Sequence, residues 1–233
     1  MSKANIIVAS PHRRNWPLKH LLAEQFPNYN FLLASAAEDL HVERLEQQAP
    51  KFIFFVHWSW IIPHEIHTLF PCIVFHMTDL PYGRGGSPLQ NLIISGHKDT
   101  MITALKCIDE IDAGPVYLKK YLSLSGSAEE ILVRASNVIA EMIGEIIMEN
   151  PDPKNQSGKA TLFSRRRPQD GNMEELEAVT EVYDYIRMLD AEGYPRAYLD
   201  IGHFRLEFSA AKMSERGDEV EALVRIRRKS DVT

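Results

Sequence analysis

Two residues stand where acid–base chemistry could be done. His76 closes the apolar run "PCIVFH" (71–76), and a turn with three glycines, two prolines and an arginine follows at once, "MTDLPYGRGGSP". Asp112 sits in a second tight turn, "IDAGP", after another strand-like segment. Proline removes a donor and glycine costs backbone entropy, so these turns can be neither helix nor ladder strand. Rigid turns after buried strands are where α/β proteins carry their chemistry. A carboxylate beside a histidine holds one tautomer and stabilises the imidazolium, so the pair could serve as general acid and base or polarise a carbonyl. Taken alone, the two residues also fit a hydrogen-bonded core histidine and a turn former. No G-x-S-x-G elbow, H-E-x-x-H or Walker A motif is present, and "GRGG" lacks the strand–glycine–helix context of a dinucleotide fingerprint.

The elements that must position these residues read as alternating strands and helices. "NIIVAS" (5–10) is a short β-rich run. "WPLKHLLAEQF" (16–26) is a helix with Pro17 in its first turn. "NFLLAS" and "AAEDLHVERLEQQ" repeat that order. "KFIFFVHW" (51–58) and "PCIVFH" are continuous apolar runs of the kind buried on both faces of a parallel sheet. "PLQNLIISG" reads as a helix stopped by Gly96, and "TMITALKCI" and "PVYLKKYLSL" as strands framing "DEIDAG". The helix over 127–149 opens on a Ser127/Glu130 capping box. It carries Ile131, Ala135, Val138, Met142, Ile143 and Ile146 as one apolar stripe. The pattern predicts a Rossmann-like, doubly wound, mostly parallel α/β sheet over 1–150. A polar crossover (151–173) follows, then a small unit (174–233) with a helix in "ELEAVTEVYDYIRMLDA" and hairpin strands in "AYLDIGHFRLEFSAA" and "EALVRIRR".

The chain has 233 residues, two cysteines and a formal net charge of −6. Cys72 and Cys107 lie in apolar surroundings without metal-ligand spacing and read as reduced core residues. The opening "MSKANIIVAS" shows no signal-peptide pattern and no apolar run approaches a membrane span, so a cytoplasmic protein with no membrane partner is expected. The acidic balance argues against nucleic acid as a partner. Arg165, Arg166 and Arg167 could face a diphosphate, although a solvated turn accounts for at least two of them. His64, His67 and His97 read as surface residues.

In order and spacing, "HMTDLPYGRGGSPLQ" followed by "SGHKDTMITALKCIDEIDAG" resembles the signature of the N10-formyltetrahydrofolate-dependent formyltransferase superfamily. The signature is an N-x-H, an L-P turn, R-G-x-x-P, G-x-x-x-T and D-x-G. Leu80-Pro81, Arg84-Gly85, Pro88, Gln90, Gly96 and Asp112-Ala113-Gly114 all fall in place. The stretch from "LFSRRRPQDG" to "HFRLEFSAA" is similar to the segment that follows the catalytic domain in the sugar-nucleotide N-formyltransferase branch, which includes the UDP-4-amino-4-deoxy-L-arabinose enzymes. The N-terminal part also resembles the methionyl-tRNA formyltransferase catalytic domain.

The resemblance implies direct transfer of a formyl group from N10-formyltetrahydrofolate to an amine, with no metal. His76 would be the base or proton shuttle and Asp112 its orienting carboxylate. Trp58, Ser59, Trp60, Ile61, Ile108 and Asp109 would hold the folate, and Met77, Thr78, Leu80, Pro81, Arg84 and Gly85 the acceptor. The C-terminal segment is short and the chain acidic, which favours a nucleotide-linked amino-dideoxy sugar as acceptor over tRNA, and the resemblance implies a homodimer through the C-terminal hairpin. Two alternatives stay open: a glycinamide ribonucleotide-type formyltransferase, and a catalytically impaired folate or nucleotide-sugar binding protein. The second arises because Val74 occupies the family's asparagine position.

Overall fold

The computed structural model describes residues 3–231. Strands β1 (Ala4–Ala9), β2 (Tyr29–Ala34), β3 (Pro50–Phe55), β4 (Cys72–His76), β5 (Arg84–Gly85), β6 (Asp99–Lys106), β7 (Val116–Ser123) and β8 (Leu162–Phe163) precede the C-terminal β9 (Ala197–Ile201), β10 (Phe204–Met213) and β11 (Val220–Arg228). The helices are α1 (Pro17–Gln25), α2 (Val42–Gln48), α3 (His64–Leu69), α4 (Pro88–Ile94), α5 (Ala128–Glu149) and α6 (Val179–Met188). Two compact units are distinguished, and they do not follow chain order. Met1–Gly85, Thr100–Leu122 and Val133–Leu162 form one; Gly86–Asp99, Ser123–Leu132 and Phe163–Thr233 form the other.

The first unit is built on a six-stranded sheet in the order β2-β1-β3-β4-β6-β7. β1 runs parallel to β2 and β3, and β3 to β4, whereas β6 is antiparallel to β4. Ile6 to Ala9 and Ile53 to Phe55 are buried residue after residue. Side chains alternate faces along a strand, so unbroken burial means that both faces are covered, as a doubly wound sheet requires. Ile7, Ala9, Ile53, Phe55 and Cys72 form one apolar layer, against which Trp58, Val74 and Cys107 also pack.

Differences from the expected elements have local causes. The helix expected over 36–48 is a single turn at Ala37–Asp39 followed by α2. Asp39 Oδ2 accepts the N–H groups of Ser35 (2.7 Å) and Ala36 (3.1 Å) and so caps that turn separately. β3 stops at Phe55 rather than at residue 58, because His57 turns into the left-handed region at φ 49°. In α5 the Ser127/Glu130 box forms as expected.

The second unit contains a three-stranded antiparallel sheet, β11-β10-β9. The expected hairpin is thus extended by a further strand, because the first stretch itself turns back at Gly202 (φ 55°). Arg187 is buried there, with Nε on Asp184 (2.6 Å) and Nη1 donating to the carbonyls of Leu124 and Gly126. Among the described residues, no helix is long and apolar enough to cross a membrane.

A buried polar network sits just beyond β1. Asn15 Nδ2 donates to Ser10 Oγ (2.8 Å) and to His57 Nδ1 (3.3 Å), and Ser136 Oγ donates to Asn15 Oδ1. His57 therefore carries its proton on Nε2, which is shut from solvent and has no hydrogen-bond partner among the described residues. Burial first, then the charges of His12 and Arg14, push His57 down to about 3. The unfolded ring titrates near ~6.5. Between those values the unfolded chain binds a proton that the fold refuses, so stability falls as pH drops from ~6.5 towards ~3, by at most ~1.4 kcal/mol per pH unit. Urea midpoints at pH 7, 6, 5 and 4 will show this slope in the wild type. They will show less of it in His57→Asn, since asparagine tolerates the same backbone conformation.

The loop joining β6 to β7 is closed by backbone proximity. Lys106 N–H donates to the Pro115 carbonyl (2.8 Å), and a Cβ on Gly114 would lie 1.8 Å from the Lys106 carbonyl oxygen. Nothing at that contact is a flexible side chain, so Gly114→Ala must reshape the loop. Loss of ~3 kcal/mol or more in chemical denaturation is expected, with little change at Gly96→Ala beyond its backbone penalty, since no atom lies near that site.

Candidate active site

β3 and β4 run parallel with Phe55 opposite Val74, so their chain ends leave the sheet side by side. Trp58 and His76 belong to this carboxyl edge. His76 is 7% exposed. Its Nε2 lies 2.8 Å from the Gly83 carbonyl, to which it donates. Its Nδ1 lies 3.5 Å from Asp112 Oδ2, a charge contact longer than a normal hydrogen bond. The ring thus presents a committed N–H on one side and a nitrogen facing a carboxylate on the other.

Asp112 reaches this position from an unexpected direction. Because β6 is antiparallel to β4, its last residue, Lys106, pairs with Ile73 near the start of β4. The connecting loop begins there, with Cys107 N–H on the Cys72 carbonyl (2.9 Å), and brings Asp112 back to His76. Asp112 adopts φ 53°, which its short polar side chain tolerates. Its Oδ2 also accepts the Gly85 N–H at 2.8 Å. One carboxylate thereby fixes both the catalytic-candidate loop and the glycine turn after His76.

The glycine turn is held from several sides. Gly83 N–H donates to Thr161 Oγ1 (2.7 Å), Arg84 N–H to the Thr161 carbonyl (3.0 Å), and Thr103 Oγ1 to the Thr78 carbonyl (2.7 Å). Gln156 is the residue that sequence reasoning missed. Its Nε2 donates to the carbonyls of Asp112 (2.8 Å) and Gly114 (2.9 Å), and its Oε1 accepts Nε and Nη2 of Arg84. Arg84 Nη1 also meets Glu110 Oε1 at 2.9 Å. A lone glutamine in "NPDPKNQSGKA" looks like part of a solvated crossover, and only the fold reveals that it fastens Arg84 to the loop.

The remaining expected site residues are placed as follows. Trp58 stacks edge-on against Phe55 (5.4 Å) and Trp60 (4.9 Å), while Ser59, Trp60 and Ile61 are exposed. Ile108 and Asp109 are exposed on the loop, together with Ile111. Met77, Thr78 and Leu80, expected to line the acceptor side, are buried. Pro81, Arg84 and Gly85 are half-buried, and the Leu80–Pro81 peptide is cis. Val74 projects on the same face as His76, two residues away, so the asparagine position is filled by an apolar side chain that cannot donate. Burial first, then Asp112 and Asp109, push the Cys107 thiol up to about 11, so it stays protonated. Arg165 and Arg167 are exposed, whereas Arg166 is half-buried with its guanidinium 5.5 Å from the Tyr185 ring centroid. His67, expected at the surface, is instead buried, because α3 turns it inward while His64 stays outside.

Known proteins show the same arrangement of parts. The sequence pattern of the family described as formyl transferase matches residues 10–142, and that of the methionyl-tRNA formyltransferase C-terminal domain matches residues 168–227. A methionyl-tRNA formyltransferase of Thermodesulfovibrio yellowstonii is 29% identical over 158 residues, 64% of this chain and 51% of that protein. The chain spans about half the length of the curated relatives it matches. A solved structure named methionyl-tRNA formyltransferase from Clostridium thermocellum is 44% identical, with TM-score 0.93 over 97% of this chain and 99% of that one. A sugar N-formyltransferase from Shewanella sp. FDAARGOS_354 covers 94% of this chain and 96% of its own at 14% identity and TM-score 0.65, a likeness of fold alone.

These findings overturn two expectations. The nucleotide-linked sugar as acceptor is not supported, because the relatives with appreciable identity are named for methionyl-tRNA. The exclusion of nucleic acid falls with it. Net charge averages over the whole surface, while binding to a polyanion is decided by local charge. β11 and the residue after it carry Arg225, Arg227, Arg228 and Lys229, all exposed, on a chain of net charge −6. With its pattern running through both the His76 strand and the Asp112 loop, this chain belongs to the formyl transferase family.

Proposed function

We propose that this chain transfers the formyl group of N10-formyltetrahydrofolate to the α-amine of methionine carried on tRNA. The observation that carries the reaction is His76, held at Nε2 by the Gly83 carbonyl and faced at Nδ1 by Asp112. The formyl donor of the family is N10-formyltetrahydrofolate. The acceptor rests on the 44% identity to a protein of that name over nearly the whole of both chains.

In this reading the amine nitrogen attacks the formyl carbon, and His76 Nδ1 takes the proton that the attacking nitrogen sheds. The positive ring then lies beside the Asp112 carboxylate, and its Nε2–H stays on Gly83. As the bond from the formyl carbon to N10 breaks, the proton passes to N10, and the products are the formamide and tetrahydrofolate. Trp58, Trp60, Ile61, Ile108 and Asp109 bound the donor, while Arg84 and Gly85 shape the turn beside the reacting amine. Val74 supplies no donor to the formyl oxygen, so the charge developing there is met by the imidazolium rather than by a side-chain amide.

Purified chain incubated with N10-formyltetrahydrofolate and methionyl-tRNA will yield formylmethionyl-tRNA in a mass-spectrometric endpoint assay. No product with this acceptor would sink the reading. His76→Ala and Asp112→Asn will each lower kcat by ~10²–10⁴, measured below the onset of each variant's thermal unfolding. Arg225→Ala with Arg228→Ala will raise KM for the tRNA and flatten the decline of rate with salt, leaving kcat in place. Gln156→Ala, which removes hydrogen bonds worth ~1 kcal/mol each, will lower both kcat and stability, and Gln156→Glu will not restore the two carbonyl contacts.

A further inference from the structure

Three potential metal ligands converge outside the His76–Asp112 pair. His64 and His67 lie three residues apart on α3, and therefore on one face of it. Asp109, from the β6–β7 loop, reaches both. Its Oδ1 is 2.7 Å from His64 Nδ1 and 3.3 Å from His67 Nε2, and the three ligand atoms all lie within 4.8 Å of one another. The imidazole planes stand 83° apart with centroids 5.3 Å from each other, so the two rings meet edge-on rather than stacking.

We propose that His64, His67 and Asp109 form a binding site for a divalent transition metal, with Zn²⁺ the best fit. Metal–nitrogen and metal–oxygen bonds of ~2.0–2.2 Å in a tetrahedron put ligand atoms ~3.3–3.5 Å apart. The two edges that share Asp109 Oδ1 therefore need to change by less than ~1 Å. The third, between the two imidazole nitrogens, closes by at most ~1.5 Å. The side chains differ in freedom in a way that suits such a closure. His67 is 6% exposed and fixed, whereas His64 (67%) and Asp109 (72%) are exposed and can adjust to it. Two imidazoles and one carboxylate favour Zn²⁺, Ni²⁺ or Cu²⁺ over Mg²⁺ or Ca²⁺, which prefer all-oxygen shells. Solvent at His64 and Asp109 leaves room for water as the fourth ligand. Cys107, two residues from Asp109, is no part of the set.

The sequence led to no metal being expected in this chain, and two of these ligands, His64 and His67, read there as surface residues. The proposal is independent of the acceptor, since none of the three residues is needed to name one. Chelator-treated full-length chain will be titrated with ZnCl₂ by calorimetry, and with CoCl₂ by visible absorption. Saturation at one ion per chain is expected, with d–d bands of four- or five-coordinate Co²⁺. His64→Ala and Asp109→Asn should each weaken binding by at least ~10-fold. His20→Ala, an exposed histidine on α1, should leave it unchanged. Circular dichroism will verify that each variant keeps the wild-type fold. No saturable binding below millimolar Zn²⁺, or equal affinity in His64→Ala, would overturn the site.

Discussion

The constraint on which the candidate site depends is the return of the β6–β7 loop to the end of β4. The sheet alone does not bring Asp112 to His76: the antiparallel pairing of β6 sends the loop off from the opposite end of β4. What brings it back is a set of short contacts along the way. Cys107 anchors to the Cys72 carbonyl, Lys106 closes on Pro115 with Gly114 pressed against its carbonyl, and Gln156 grips the carbonyls of Asp112 and Gly114. Asp112 then completes the closure by accepting the Gly85 N–H. Each contact is a hydrogen bond of modest net worth, but leaving any buried partner unsatisfied costs more than the bond contributes. The loop is therefore held by the cost of opening it.

Much of the scaffold was legible in the sequence for a clear physical reason. Strands covered on both faces must be apolar throughout, and "KFIFF" and "CIVF" are; a long amphipathic helix must show its stripe and its cap, and α5 shows both. His76 and Asp112 could be singled out because glycines, prolines and a carboxylate at fixed offsets have few other uses. What escaped detection was tertiary. Gln156 lies in a polar stretch where a glutamine signals nothing, yet it makes contacts to three residues of the site. His67 turns inward because Ile66 and His67 both face the interior of a short helix, which too few residues define for a period to be read.

The acceptor was misjudged through a quantity that was correct but averaged. A net charge of −6 is a statement about the far field. The C-terminal sheet concentrates arginines on its edge strand while carboxylates such as Asp200 and Glu207 lie on β9 and β10, where they pair with Arg205, Arg227 and Lys229. A polyanion approaching within a Debye length, about 8–10 Å, responds to such an arrangement and not to the sum.

The reversed direction of β6 has a consequence for how this fold can change over time. In a sheet where every strand runs the same way, partner residues are locked together by ladder register. Here the spacing between carboxylate and imidazole is set by loop length. Inserting or deleting one residue between Lys106 and Pro115 would shift Asp112 by about one Cα step, ~3.8 Å, leaving all six strands of the sheet paired. The pairing of His76 with Asp112 and the architecture are thus mutationally separable: a single codon gained or lost in this loop would part the two side chains and leave a scaffold of the same shape.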